Sequence, residues 1–331
     1  MKIAVIILNW NGQKLLAQFL PTIIKYSKEA AIYVADNAST DNSVKHVTES
    51  FPEVQIISNK ENGGYAKGYN DALKHVKEDI YCLLNSDIEV TENWLSPIAA
   101  IFEKDSSVAV IQPKIKSYHQ KELFEYAGAA GGFIDKYGYP FCRGRIFDTL
   151  EKDEGQYEYE EEIFWASGAC FFIRKEIFRE QKGFDELFFA HMEEIDLCWR
   201  IQNTNKKILY TPESTVYHVG GGTLNKLNSI KTFYNFRNSL LTLLKNLPED
   251  QIKPIVFKRM LLDGLAFAKF CLNLQFKHAT AILKAHYSYY KFKNQVLKSR
   301  SKNVKKKNYY QIVSIVHYYY IARKKNYKNL I

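Results

Sequence analysis

Short apolar runs recur along the first hundred residues, and each ends in a polar cluster. "IAVIIL" (residues 3–8), "AIYVAD", "VQIIS" and "IYCLLNSD" are strand-length runs, the continuous kind that suits strands covered on both faces. Between them stand "QKLLAQFLPTIIKYS", "STDNSVKHVTES", "NGGYAKGYNDALKHV" and "ENWLSPIAAIFEK", in which apolar residues fall at helical spacing, with cap-like residues at several starts. Strands alternating with helices predict an α/β layered fold with a mixed, mainly parallel sheet flanked by helices. From 110 to 222 the pattern is less regular. "VAVIQPKI" and "IFWASGACFFIR" predict strands, "KDEGQYEYEEE" an acidic loop, "EEIDLCWRIQNT" a helix beginning near Glu193, and "KKILYTPESTVYHVGGG" extended chain. From "SIKTFYNFRNSLLTLLKNLP" onward the pattern is helical, with Pro248 and Pro254 bracketing a joint between two helices.

Charge divides the chain at about the same place. Residues 223–331 hold 22 Lys and Arg against 3 Asp and Glu, whereas residues 1–222 hold 24 against 33. This asymmetry predicts two modules, 1–222 and 223–331, the second suited to an anionic surface. The five cysteines are scattered, with no C-x-x-C pair, so zinc and a disulfide framework are not expected and a reducing compartment fits. "MKIAVIILNW" reads as a first strand rather than a signal segment, and no run of about 18 uninterrupted apolar residues predicts a spanning helix.

In open α/β sheets, ligands bind beyond the carboxyl ends of the strands. "NWNG", "DNAST", "ENGGYAKGYN" and "NSD" follow the four successive strands and would line one crevice. A bland reading exists for each: Asp36 as an Asx turn, Asp87 as a turn acid, Glu193 and Glu194 as a surface charge pair at a helix start, Trp165 and Gly168 as core packing. Four clusters at consecutive strand ends outweigh those readings taken singly. Yet Glu193, Glu194 and Asp196 also sit inside the apolar and aromatic run "FFAHMEEIDLCWR", where an unpartnered carboxylate is expensive.

These stretches, with "WASGACFFIRKEIF", "GFDELFFAHMEEIDLCWR", "YHVGGGT" and "FYNFRNSLL", resemble in order the family 2 glycosyltransferases of GT-A fold, especially bacterial rhamnosyltransferase-like members. The resemblance runs from residue 5 to about 241 and covers the final 90 or so residues only loosely; it implies the nucleotide-diphospho-sugar transferase fold over 1–222, while 223–331 reads from its residues as a basic, Tyr-rich helical extension that associates with a membrane. It implies an inverting, metal-dependent glycosyltransferase of the hexosyltransferase type, moving a sugar to a hydroxyl of a glycan or lipid-linked acceptor in cell-surface polysaccharide synthesis. The donor it suggests is dTDP-rhamnose. Carried over residue by residue, Glu194 is the expected general base and Glu193 its alternative or the group that orients the acceptor. Leu8, Asn9, Trp10 and Asp36 surround the nucleotide, and Asn62, Lys67, Asn85 and Ser86 approach the nucleotide or diphosphate. Trp165 and Gly168 meet the acceptor. Asp87 and His218 hold Mn²⁺ or Mg²⁺, hard cations that favour oxygen ligands. "NSD" stands where the family carries Asp-x-Asp, so Asn85 replaces the first acid. Asp196 reads instead as the i,i+4 partner of Arg200. Basic and aromatic residues on apolar helices predict a segment lying on the inner face of a cytoplasmic membrane, in a cytoplasmic protein for which a homodimer is left open. The competing class is a non-catalytic membrane- or nucleic-acid-binding protein on the same scaffold. The acidic first two-thirds argues against nucleic acid as a partner.

Overall fold

A computed structural model describes residues 1–220, 228–301 and 308–330. The expected boundary at 222/223 and the end of "YHVGGGT" lie outside the described residues, as does the basic run 302–307.

The chain opens β1 (Ile3–Asn9), α1 (Gln13–Tyr26), β2 (Ala31–Asp36), α2 (Ser43–Ser50), β3 (Gln55–Ser58), α3 (Gly64–Ala72), β4 (Ile80–Asn85), β5 (Ile88–Val90) and α4 (Ser96–Lys104). Then follow β6 (Val108–Ser117), the short strands β7 (Gly132–Ile134), β8 (Pro140–Cys142), β9 (Arg145–Ile146), β10 (Thr149–Leu150) and β11 (Glu161–Glu162), and β12 (Cys170–Arg174). The rest is α5 (Lys175–Glu180), α6 (Glu193–Gln202), β13 (Lys207–His218), α7 (Ser229–Asn246), α8 (Glu249–Leu272) and α9 (Phe276–Ser299). The main sheet has the order β11-β13-β6-β12-β4-β1-β2-β3, with β5 also paired to β13. Strands β1 to β4 are parallel, β12 runs antiparallel to both β4 and β6, and β13 is parallel to β6. Strands β7 to β10 form a second, antiparallel sheet that the sequence did not predict.

Both faces of the main sheet are covered, which is why its strands read as continuous apolar runs. Alternate residues feed two separate cores. Ile3, Val5, Ile7, Ile32, Val34, Cys82 and Leu84 pack with Leu16 and Phe19 of α1 and Ile98 and Phe102 of α4. Ala4, Ile6, Tyr33, Leu83 and Phe171 face the other way, toward α3, α6, the second sheet and the C-terminal helices. That second core extends to Ile255, Tyr289, Tyr309 and Leu330, so the last third of the chain shares a hydrophobic core with the sheet.

Register brings the polar clusters to one edge. Asn9 is paired with Asp36, Asp36 with Ser58, and Leu8 with Asn85. His218 closes β13 opposite Ser117 at the same end, and the reversed β12 begins there, with Cys170 opposite Leu84.

Several elements differ from the sequence reading. Of "IFWASGACFFIR", only Cys170–Arg174 is strand, because Phe164 and Trp165 donate backbone N–H groups to Gly132 O and leave the main sheet. After Ser299 no long helix follows among the described residues. The chain runs back over the second sheet in short turns, with Tyr309 Oη donating to Lys136 O at 2.6 Å and Tyr327 N to Glu151 Oε1 at 2.9 Å.

Candidate active site

At the β1 and β2 ends, Asn9 is fully buried and its amide donates to Asp36 Oδ1 at 3.2 Å and Ser39 Oγ at 3.1 Å. Ser39 N caps the other Asp36 oxygen at 3.0 Å. The carboxylate is thus fixed in the turn, while Trp10 is half exposed beside it and Leu8 is partly buried. Asn62 accepts from Gly64 N and from the Asn37 amide, both at 3.0 Å, so it shapes the glycine turn that opens α3. Gly64 has φ +75°, and a Cβ there would meet Phe189 O at 2.5 Å, so only glycine fits that contact. Lys67 is committed to an ion pair with Asp71. Ser86 Oγ lies near Gly12, in the first strand's loop.

At the β4 and β13 ends, His218 is clasped between two carboxylates. Its Nε2 lies 3.1 Å from Asp87 Oδ1 and its Nδ1 3.3 Å from Glu125 Oε1, the latter without hydrogen-bond alignment. Asn85 Nδ2 is 3.5 Å from Nε2, and Gly220 N donates to Asp87 Oδ2 at 3.2 Å. Burial alone would lower the imidazole's affinity for a proton. The charges of Glu125 and Asp87 overcome this and push its pKa up to about 10. Burial likewise opposes ionisation of Asp87, but the His218 contact holds that carboxyl below its usual range.

Glu125 was not singled out in the sequence, and no motif marks it. It reaches His218 because the chain folds back after β6: Phe124 bridges to Lys116, one residue before Ser117, which pairs with His218.

No three His, Cys, Asp or Glu side chains among the described residues form a ready-made metal cage. A smaller donor set does fit. Cis ligands of an octahedral ion with bonds of about 2.1 Å are about 3.0 Å apart, and Asp87 Oδ1 and His218 Nε2 are separated by 3.1 Å. One carboxylate and one imidazole, the latter giving up its Nε2 proton on binding, with phosphate oxygens and water filling the rest, would form a donor set for such an ion.

Glu193 and Glu194 open α6, as expected. Glu193 is buried and Glu194 partly so, and one oxygen of each carboxyl is buried without a hydrogen-bond partner. Burial raises both groups. Glu193 goes well above the carboxylate range, with the Glu194 charge adding to the effect, and Glu194 rises to about 7 even though backbone N–H groups of the helix start pull it down. The helix start therefore does not keep this pair firmly ionised, because burial outweighs it.

Tyr65 feels both charges and donates its hydroxyl to Gly168 O at 2.8 Å. Gly168 lies just before β12, where Ala169 O accepts from Asn85 N at 3.0 Å. Ser167 Oγ donates to Ala127 O, two residues from Glu125. These contacts link the Glu193–Glu194 pair to the strand-end edge that carries Asp87 and His218. Trp165 lies beneath this loop. Its ring is buried against Gly132 and its Nε1 donates to Phe133 O at 2.8 Å, so the indole is a packing element of the floor.

The loop before α6 is unusual. Phe189, His191 and Met192 all have positive φ, a costly conformation for such residues. Asn238 of α7 holds it, its amide donating to Phe188 O, Ala190 O and His191 O at 2.7–3.0 Å, and Arg237 adds bonds to Leu187 O and Phe188 O. Asp196 pairs with Arg200 at 2.8 Å and also with Lys245 at 2.9 Å and Asn246 at 2.7 Å. Helix α7 is therefore the brace of the site, which explains the "FYNFRNSLL" stretch.

A separate depression of about 470 Å³, lined by Asn70, Lys74, Phe178, Arg179 and Lys182, lies toward the opposite sheet edge, where β12 ends.

A nucleotide-sugar transferase fold of GT-A type is defined by this sheet, its reversed strand and the clusters along one edge. The chain aligns with GalNAc-T7 solved with UDP, GalNAc and Mn²⁺ (TM-score 0.60, 19% identity, 75% of this chain and 48% of that longer chain). It also aligns with S. aureus TarS 1–349 in complex with UDP-GlcNAc (TM-score 0.53, 14% identity, 95% of this chain and 100% of that one). The model of glycosyl transferase family 2 matches residues 4–181, and the chain belongs to that family as a glycosyltransferase. Among curated relatives, the N-acetylglucosaminyl-diphospho-decaprenol L-rhamnosyltransferase of Mycobacterium tuberculosis is 23% identical over 219 residues, 61% of this chain and 71% of its own length. The pre-mycofactocin glycosyltransferase of the same organism is 24% identical over 188 residues, 55% of this chain and 36% of its own.

Proposed function

We propose that this glycosyltransferase inverts the anomeric centre as it moves a sugar, rhamnose from dTDP-rhamnose as the leading case, onto a hydroxyl of a lipid-linked glycan acceptor at the inner face of a cytoplasmic membrane. The observation that carries this reading is the Glu193–Glu194 pair, buried, short of partners, and joined through Tyr65 and Gly168 to the edge bearing Asp87 and His218. Asp36 and Asn9 hold the nucleotide, with the half-exposed Trp10 ring beside it. Asp87 and His218 would hold the divalent ion, which offsets charge on the departing diphosphate. Glu194, poised near neutrality, accepts the proton of the acceptor hydroxyl as that oxygen attacks the anomeric carbon from the face opposite the diphosphate. Glu193 stays protonated and donates a hydrogen bond to the acceptor. The rhamnosyltransferase relative supports the donor and the lipid-linked acceptor, and the Mn²⁺ of GalNAc-T7 supports the ion.

The test is a thermal-shift screen of nucleotide sugars with and without Mn²⁺, followed by turnover of the stabilising donor. Metal-dependent stabilisation by dTDP-rhamnose, lost in Asp87→Ala, is expected. Stabilisation by a different donor would replace rhamnose but keep the chemistry. A wild-type protein that neither transfers nor hydrolyses any donor would defeat the catalytic reading.

A further inference from the structure

The α8–α9 hairpin presents an apolar face to solvent and an apolar tip where a turn would ordinarily be polar. On α8, Phe257, Leu261, Leu265 and Leu272 are all exposed, Leu272 to 84%. At about 100° per residue these four fall within about 80° of arc. The stripe lies opposite the buried side, where Arg259 and Asp263 pair at 2.8 Å and Arg259 donates to Tyr137 O and Gly138 O. The turn continues the stripe with Leu274, 75% exposed, and Phe276. The same geometry places exposed Leu283 and Tyr287 of α9 in one narrow arc with Phe276.

Lysines border both stripes, on both sides of the α8 row and on one side of the α9 row. Lys253 and Lys258 lie on either side of the α8 row, and Lys277 and Lys284 border the α9 row, all of them exposed. From residue 251 to 299 the one acid is Asp263, and it is buried. No described helix is long and apolar enough to cross a bilayer. An apolar stripe bordered by basic side chains, on helices too polar to span, matches a surface that lies in the headgroup zone and lets the lysines reach outward.

We infer that the α8–α9 hairpin is a bilayer-docking surface: Leu272, Leu274 and Phe276 enter the acyl boundary of an anionic membrane while the flanking lysines meet its phosphates. The inference rests on the membrane reading above and assigns it a surface. A second copy of the chain is the poorer occupant, because a two-fold contact would set lysine rows against lysine rows.

Vesicle flotation of the full chain tests this, using phosphatidylglycerol-containing and pure phosphatidylcholine vesicles. The variants are Leu272→Ser/Leu274→Ser/Phe276→Ser and Lys253→Gln/Lys258→Gln/Lys277→Gln, with donor turnover as the control for folding. Wild type should float with anionic vesicles and come off in high salt. The serine variant should lose about tenfold in partitioning with donor turnover within about twofold of wild type, and the glutamine variant should lose the preference for anionic lipid. Wild type that floats with neither vesicle sinks the membrane reading and this inference together. Wild type that floats as strongly as the serine variant overturns the assigned surface alone. A wild-type dimer that the serine substitutions convert to monomer, with no vesicle binding, gives the face to a second copy and overturns the inference.

Discussion

Glu194 shows how burial sets both chemistry and stability. Its carboxyl is raised to about 7 because one oxygen is buried without a partner. If Glu194 is the base, as proposed, turnover should climb with pH through about 7 as it ionises, a limb that a pH profile of kcat detects. The stability consequence has the opposite sense. A folded-state pKa above the unfolded value means that the native state binds the proton more tightly. Stability is then full at pH below the ordinary carboxylate value and declines as pH rises toward 7. Glu194→Gln should lose about 10²–10⁴ in kcat yet melt higher than wild type at pH 8, with the difference shrinking as pH falls and vanishing below about pH 4. A variant that melts lower at pH 8 would show that the carboxylate is compensated by a partner.

Which residues of the site were legible in the sequence depends on how local their setting is. Asp36 and Asp87 stand at strand ends, and Glu193 begins a helix, so apolar periodicity located all three. Glu125 was invisible because its neighbour His218 lies 93 positions away and meets it only through the pairing of β6 with β13. What the sequence does not show for Trp165 is that its indole N–H is taken by Phe133 O.

At the scale of elements, the loop from Phe188 to Met192 and helix α7 act as one device. Asn238→Ala would leave carbonyls of Phe188, Ala190 and His191 without that amide and remove what holds three positive-φ residues. The expected cost is about 2–3 kcal/mol of stability, read by chemical denaturation, and a fall of about tenfold or more in kcat from a displaced base. Retention of full activity with lowered stability would separate the brace from the chemistry. The main strands and helices were readable because their apolar periods are long. Strands β7 to β10, of two or three residues each, carry too few positions to show a period.

At the scale of the molecule, charge divides the chain near residue 222, and one hydrophobic core runs across that divide. Arg300 donates to Leu244 O and Leu247 O at the end of α7, Asp135 accepts from Ile315 N at 2.9 Å, and Tyr139 Oη reaches Asp263 at 3.1 Å. Basic, aromatic composition describes only the outward half of these segments. Their inward half is core, and composition cannot separate the two. A chain ending near residue 250 should accordingly be insoluble or fail to unfold cooperatively, rather than survive as a working transferase freed from lipid. Circular dichroism melts and gel filtration of that truncation decide the point. A monomeric, cooperatively melting product would mean that residues 1–250 suffice for the fold.

Asn238 also has a consequence for synthesis. The ribosome releases Glu194 well before Asn238, which follows the loop it grips by about fifty positions. Until that amide has emerged, the curl of positive-φ residues ahead of the glutamates lacks the three bonds that Asn238 gives it. The geometry at the start of α6 is thus completed by a helix made about fifty positions later, so the α6 entrance and α7 form in a fixed order during synthesis.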